Sequence, residues 1–588
     1  MITTFIAWIY IFFITSVYGL IILHLLSRIK ITENSEEVLL RPDLVSLSGF
    51  GILTVVLAWT SLLYPIGWQV HLFILVVASL YTVLYTNRIQ KYFRGIFKAL
   101  INQGQDRSFY ILILFLVLIC AILPDYQFDT GYYHAQIIQW IEKYKVVPGL
   151  GNLSPVLAYN QSVYLTSALF SFSFLSIPPM HVVNSYLFLL LMLRLLYEIF
   201  NTRKYNIIYF GLFMYFIMSR YTSVVSTGTD LPAFILVAYV VILFMKNEKN
   251  HILTETFLIL LYGFTVCTIK MSAFPVILLI LLFIILNFKY YNFRQLGILT
   301  FTFLLFLTPW IIRNIMLSGY LVYPFTLIDI FNVDWKIPLQ DVHIQKDYIK
   351  SCAFVPVELG EALEEIRQNT FQGLLHGENG FNQEFYKLTF IEKLHSLLRH
   401  RMTILQFLTI LFSLGTILNG PFLIKKNKEK NDKTIIYLWI FSYLAILFWF
   451  LMAPHFRMGG FYLNLLLYSG LYILFYHIGL KFINKLVKFF EDFNILIAKI
   501  FIIGFLAFLL VFNLRDISNQ LVFQPSYKDI ETVSVSENYP GLITPENIDE
   551  DYFRCWNEPV PCIPTAADTI GFEFRSGNIQ DGFRPRKR

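Results

Sequence analysis

The feature that most constrains this chain is the recurrence of apolar runs long enough to cross a bilayer. "MITTFIAWIYIFFITSVYGLIILHLL" (1–26) and "FYILILFLVLICAIL" (109–123) are two of them. A membrane-spanning helix needs roughly 20 predominantly apolar residues. Composition agrees: 56% of the chain is hydrophobic and 14% is charged, against about a quarter charged in an ordinary soluble domain. The sequence therefore describes a polytopic membrane protein.

Candidate spans fall at 3–26, 44–65, 67–86, 108–123, 161–177, 181–200, 205–219, 230–245, 252–269, 271–287, 296–312, 402–424, 434–452, 459–478 and 495–514. Two intervening stretches are basic, "NRIQKYFRGIFKALINQGQDR" (87–107) and "KKNKEKNDK" (425–433). Lys and Arg gather on the cytoplasmic side of membrane proteins, so both stretches are placed inside. The net charge of +7 then reports topology and not nucleic-acid binding. Alternation puts 124–160, 313–401, the turn "APHFRMGG" and the tail after 515 outside. Three runs between 161 and 219 break the parity, so one of them is a half-span or a broken helix.

The expected fold class is all-α: a polytopic bundle of about 14 transmembrane helices with an outward amphipathic re-entry helix (129–144) and an outward C-terminal tail. It divides into N-terminal helices with a cytoplasmic basic loop (1–107), a membrane module with a first outer loop at 124–160 (108–312), an outer segment (313–401), C-terminal helices (402–514) and the tail (515–588). The first run lacks a basic leader, and its charges, Arg28 and Lys30, follow it. It reads as a retained helix and not as a cleaved signal peptide. Cys120 and Cys267 lie in apolar runs and read as packing residues.

Ionisable chemistry begins where the chain leaves the apolar phase, at "DTGYYHAQIIQWIEKYKVVPGLGNL". Ile137, Ile138, Ile141 and Tyr144 recur at helical spacing beside Tyr133 and Trp140, giving an apolar stripe opposite a polar face. Such a helix lies along the membrane interface. Asp129 opens it, and the plain reading is an N-cap. Tyr132 and Tyr133 suit stacking on a sugar ring, although interfacial tyrosines often serve simply as anchors.

Further ionisable groups fall on the same outer face. "VVSTGTDLPAFIL" brings Asp230 to the start of one span, "TVCTIKMSAFP" puts Lys270 at the end of another, and "TPWIIRNIMLSGYLVYPF" puts Arg313 at the end of a third. "LMAPHFRMGGF" holds His455 and Arg457 in a tight turn, and "LLRHRM" supplies Arg399, His400 and Arg401. Taken singly, a Lys or Arg at a helix end snorkels to lipid headgroups. Taken together, two carboxylates and several cations at membrane depth mark a functional site. The set suits a lipid-linked phosphate and a reacting hydroxyl. Cations stabilise a phosphate leaving group as its charge develops, and a carboxylate takes the acceptor's proton.

These segments, with "RCWNEPVPCIP", resemble a family of bacterial multi-pass membrane proteins over about residues 110–565. The loop bearing Asp129 is in turn similar to the first outer loop of the GT-C superfamily of polyprenyl-phosphate-dependent glycosyltransferases. That resemblance implies an inverting transferase on the extracytoplasmic face of a bacterial inner membrane, with a polyprenyl-phosphate-linked sugar as donor. The acceptor would be a surface glycan, a lipid-linked saccharide or a protein. It casts Asp129 as the catalytic carboxylate, Asp230 as a second carboxylate at an outer span start, and Lys270 and Arg313 as donor-phosphate ligands. From the chemistry of the outer face, Arg457 and His455 are further candidate ligands of the donor phosphate, and Tyr132, Tyr133, His134 and Asp230 candidate substrate contacts. The chain departs from the GT-C pattern in that Asp129 is followed by Thr130 and Gly131, so no metal ligand is assigned and a divalent metal stays an open requirement.

In the tail, Cys555 and Cys562 stand close enough to bridge, and an outward location favours a disulfide; two free thiols in an ordered loop are the alternative. Competing functions are a polymerase or ligase of lipid-linked glycans, a transporter or flippase for lipid-linked saccharides, and a membrane scaffold. A transporter expects charges along a path through the bilayer and often an internal repeat.

Overall fold

The computed structural model describes residues 1–28, 41–101, 106–125, 127–202, 204–247, 249–351, 433–452, 455–477, 481–521, 531–534, 542–545, 554–563 and 571–586. The expected span at 402–424, the Arg399–Arg401 cluster and most of the outer segment lie outside these residues.

Among the described residues, seven helices are long and apolar enough to cross a membrane: Ile2–Arg28, Pro42–Thr60, Val183–Asn201, Ile252–Ile269, Phe293–Ser318, Lys433–Met452 and Ile495–Phe512. An eighth appears if Trp68–Leu84 is joined to Thr86–Lys98, from which it is bent by 95°. The second arm of that pair holds the basic stretch as an amphipathic helix, as a surface-lying segment requires. Among the described residues the expected count of about 14 is not confirmed. Asn206–Arg220 and Asp230–Lys246 cover expected spans as helices of only 15 and 17 residues.

Of the three runs between 161 and 219, the first is the broken one. It forms only the seven-residue helix Val163–Leu169 and then turns through Phe172 and Ser176 in left-handed backbone. Pro178 and Pro179 follow, and neither can continue a helix.

Helices Ile2–Arg28 and Pro42–Thr60 cross at close range. A Cβ on Gly19 or Gly49 would collide with the backbone of Val45 or Thr15, the small-residue contact that lets helices approach without a hydrophobic drive. Helix Asp230–Lys246 forms the centre of the bundle, buried at every position from Asp230 to Met245. By contrast Phe301, Leu304, Val511 and Phe512 are exposed on the outer helices, where lipid would cover them.

The central helix carries an ion cluster at each end. At its last residue, Lys246 pairs with Glu198 at 2.7 Å, and Arg194 reaches both Glu198 (2.9 Å) and Asp43 (3.2 Å). Asp230, the first residue, lies about 24 Å away at 1.5 Å per residue, with only apolar and aromatic residues between. The sequence reading had gathered the ionisable groups at one face and did not anticipate this second cluster.

The described residues are mostly helical, and the tail adds short strands that the all-α expectation did not include. Strands Thr532–Ser534 and Ile543–Pro545 pair antiparallel, as do Phe572–Phe574 and Phe583–Pro585. The tail is packed on the protein: the Phe583 N–H donates to Pro148 O (3.0 Å), and Arg575 holds Asp334 through two nitrogens at 2.8 and 3.0 Å. Met1 donates its terminal ammonium to Gln520 O at 2.8 Å, so the chain start and the tail lie at one end of the bundle.

Candidate functional site

Asp129 sits at the entry to an unusual stretch of helix. Residues Thr130–His134 form a π-helical turn, and Ala135–Lys143 continue as α-helix. Wide turns of this kind frequently re-aim side chains at functional sites. Asp129 makes no side-chain capping bond. Its Oδ2 instead accepts from Arg457 Nη1 at 2.8 Å, across 328 positions of sequence. The N-cap reading is replaced by an ion pair.

Arg457 is the bridge. While Nη1 holds Asp129, Nε lies 2.8 Å from Asp230 Oδ2, and the other oxygen of Asp230 pairs with Lys270 Nζ. Four of the residues singled out from the sequence thus form one linear network, Asp129–Arg457–Asp230–Lys270. It joins the π-turn, the start of helix Asp230–Lys246, the residue after helix Ile252–Ile269 and the first turn of helix Phe456–His477. The Arg457 side chain is 42% exposed, against 12% for Asp230 and 11% for Lys270. The bridging cation is therefore the most exposed member of the network, followed by Asp129 at 24%.

Hydrogen bonds hold the two carboxylates in register. Ser226 Oγ donates to Gln127 Oε1 (2.9 Å), meets Thr130 Oγ1 (3.0 Å) and accepts from Gly228 N (2.9 Å). Asn184 donates to the carbonyls of Ser226 (2.6 Å) and Gly228 (2.7 Å). The "STG" before Asp230 is thereby tied to the turn that carries Asp129.

His134 is buried beside the network, with its ring 5.5 Å from Tyr164 and 4.3 Å from Tyr133. Burial pushes its pKa down to about 4, so it stays neutral at physiological pH. Burial alone would push Asp129 up, but the Arg457 guanidinium, by its charge and its hydrogen bond, outweighs it and holds the carboxyl below its ordinary value. Tyr133 stands between His134 and Tyr159, whose ring lies 5.9 Å away, while Tyr132 stacks towards Phe128 at 5.4 Å.

His455 is not in the network. Its Nδ1 receives the Arg457 backbone N–H at 3.1 Å and so steadies the turn that presents the guanidinium. Arg313 is elsewhere too, bonded to Asn160 Oδ1 (3.0 Å) and Ser61 Oγ (2.5 Å).

The helix expected along the membrane surface is instead inside the protein, buried from Ala135 to Ile141. The tail covers its polar face: Gln136 donates to the carbonyls of Trp556 (3.2 Å) and Glu558 (2.8 Å), and Gln139 to Asn557 Oδ1 (2.9 Å). Trp140 is 3% exposed and meets Phe583 edge-on, so it is not a headgroup anchor. The covering loop carries Cys555 and Cys562 joined as a disulfide.

Arg220 was missed by the sequence reading. It ends an apolar helix ten positions before Asp230, and a lone charge closing such a run is the signal that marks it. Its Nη2 donates to Arg457 O at 2.6 Å and to Tyr215 Oη at 2.9 Å, and it stacks over Phe234. Among the described residues no three His, Cys, Asp or Glu side chains come together as a metal site would need.

Residues 1–467 match the model of a domain of unknown function, DUF8201. The chain belongs to this family. No curated protein matches it, and no solved structure does. The family match takes in all four residues of the network and leaves out the disulfide-closed loop that covers the Asp129 turn.

Proposed function

We propose that this DUF8201 member is a membrane transferase that moves a sugar from a polyprenyl-phosphate carrier to a hydroxyl acceptor, with the network on the extracytoplasmic face of a bacterial inner membrane. The observation that carries the reading is the single guanidinium of Arg457 shared by Asp129 and Asp230 and still exposed to solvent.

In this reading the carrier phosphate takes Arg457 as its principal ligand, with Lys270 behind it. Asp129 then loses the cation that holds its pKa down and becomes the stronger base. It accepts the proton of the acceptor hydroxyl as that oxygen bonds to the anomeric carbon. The bond from that carbon to the phosphate oxygen breaks, and the phosphate leaves with the electron pair on Arg457 and Lys270. One displacement inverts the anomeric centre. The glycan, lipid-linked saccharide or protein that supplies the hydroxyl is chosen by surfaces near Tyr132 and Tyr133. A path for transport is disfavoured by the absence of any charged residue between the two ends of the central helix.

A second reading has its own support. Each carboxylate of the network is fully engaged with a cation, as a purely structural ion network would be. The deciding experiment is Asp129→Asn in the native host, with surface glycans and lipid-linked sugars compared by mass spectrometry at matched protein levels. Loss of one glycan species with accumulation of its lipid-linked donor supports the transferase. An unchanged glycan profile, where deletion of the whole protein alters it, refutes it and leaves the structural role.

A further inference from the structure

The bent helix pair takes no part in the Asp129 network. Trp68–Leu84 ends at Tyr85, and Thr86–Lys98 leaves it at 95°. Arg28 closes helix Ile2–Arg28, which runs for about 40 Å at 1.5 Å per residue from the end that holds Met1 and the tail. The elbow sits beside Arg28, at the opposite end of the bundle. There Arg28 Nε donates to His24 Nε2 at 3.1 Å, which leaves His24 Nδ1–H to donate to Tyr81 Oη at 3.2 Å. Arg88 is likewise close enough to act on His24 by its charge, so two cations gather at the elbow itself.

The two arms differ in what they present. On the first, Phe73, Val76, Leu80, Val83 and Leu84 are each more than half exposed, a surface that acyl chains would cover. The second arm is sided. Ile89 and Tyr92 are buried, and Phe93 and Ile96 pack on the core beside them. Lys91, Arg94 and Lys98 recur at i, i+3 and i+7 on the opposite side, all exposed. Phe97 and Ile101 are exposed along the edge between these two faces. From Leu44 to Gln105 the chain holds four Lys and Arg, all in this arm, and no Asp or Glu.

A basic stretch by itself reports only topology. The exposed apolar edge and the right-angled elbow point further, to lipid. A helix with a basic face and an apolar edge lies in the membrane interface, and anionic lipid strengthens its hold. A phospholipid makes the same turn as the two arms, with acyl chains along the membrane normal and a headgroup across their end. We propose that the elbow is a docking surface for anionic phospholipid in the adjoining leaflet. Acyl chains lie along Trp68–Leu84, one phosphate meets Arg28 and Arg88, and neighbouring headgroups meet Lys91, Arg94 and Lys98. The lipid is a bilayer component and not a substrate, so the surface stands if the transferase reading fails.

The test uses the full chain, with phosphatidylglycerol and phosphatidylcholine of the same acyl chains as probes. Native mass spectrometry from detergent reads how much of each lipid the protein keeps. The expected result is preferential retention of phosphatidylglycerol, each contributing cation being worth about fivefold. Arg94→Gln with Lys98→Gln cuts that retention by roughly tenfold or more and leaves phosphatidylcholine unchanged. Lys289→Gln with Arg294→Gln removes two exposed cations from another turn and leaves the preference intact. Hydrogen exchange across 86–101 in nanodiscs is a second reading that needs no variant. It is slower in phosphatidylglycerol than in phosphatidylcholine, and the difference shrinks as salt rises from about 50 to about 500 mM. Equal retention of the two lipids by the wild type overturns the proposal. So does a wild-type preference in Arg94→Gln with Lys98→Gln, an equal loss in Lys289→Gln with Arg294→Gln, or identical exchange in both lipids.

Discussion

The backbone N–H of Trp556 donates to Gly131 O at 2.8 Å, and the Trp556 indole occupies the space where a Cβ on residue 131 would fall. A residue of the tail is therefore seated on the turn that aims Asp129. The closest ring atom would be 2.6 Å from that Cβ. Gly131→Ala forces the two apart, an overpacking defect of roughly 1–3 kcal/mol. The expected outcome is a lower Tm for the purified protein, together with loss of the same glycan species as in Asp129→Asn. A glycan profile unaffected by Gly131→Ala would show that the seating does not position Asp129.

Opening the Cys555–Cys562 bridge acts on the same clamp from the other side. The bond closes a loop of sequence separation 7, for which chain-entropy estimates give about 2 kcal/mol. Cys555→Ser with Cys562→Ser is expected to lower Tm and to expose Gln136 and Gln139. Faster hydrogen exchange across 135–141, with the bundle core unchanged, is the readout.

The two carboxylates of the network should differ in what their loss does. Asp230 has two cationic partners and a side chain 12% exposed, whereas Asp129 has one and is 24% exposed. Asp230→Asn strands buried charge and is expected to cost roughly 3–5 kcal/mol. Asp129→Asn is expected to cost about 1 kcal/mol or less. Denaturation of the two variants side by side measures the difference.

Arg457→Lys keeps the charge but removes the fork that serves two carboxylates at once. It is expected to reproduce the glycan defect of Asp129→Asn while the protein still accumulates to near-normal levels. A wild-type glycan profile would show that the bridge is dispensable.

His134 makes stability fall in acid. Its pKa drops from 6.5 to about 4 on folding, so the unfolded chain takes up the proton first. Stability is complete above about pH 6.5, declines as pH falls towards 4 and then levels off, by about 3 kcal/mol in all. His134→Gln should flatten the decline between pH 6.5 and 4 in thermal unfolding.

The membrane class was legible because it depends on local composition: an apolar run of bilayer length has few alternatives whatever surrounds it. The candidate residues were legible for a related reason. Charges at the ends of apolar runs are costly and few, so Asp129, Asp230, Lys270 and Arg457 stood out one by one. The break in the run after Leu169 could be inferred from parity, and Pro178 and Pro179 were there to locate it.

What the sequence could not express was partnership. Arg457 lies 328 positions from Asp129, and nothing in either stretch announces the other. Only the packing of four elements at one end of the bundle placed one guanidinium between two carboxylates and left Arg313 outside the network, bonded to Asn160 and Ser61. The amphipathic pattern of 135–143 misled for the same reason. A polar face looks alike whether water or the tail's carbonyls will satisfy it, and the tertiary structure supplied the carbonyls of Trp556 and Glu558. Local chemistry determined which residues are expensive to place at membrane depth, and long-range packing decided which of them meet.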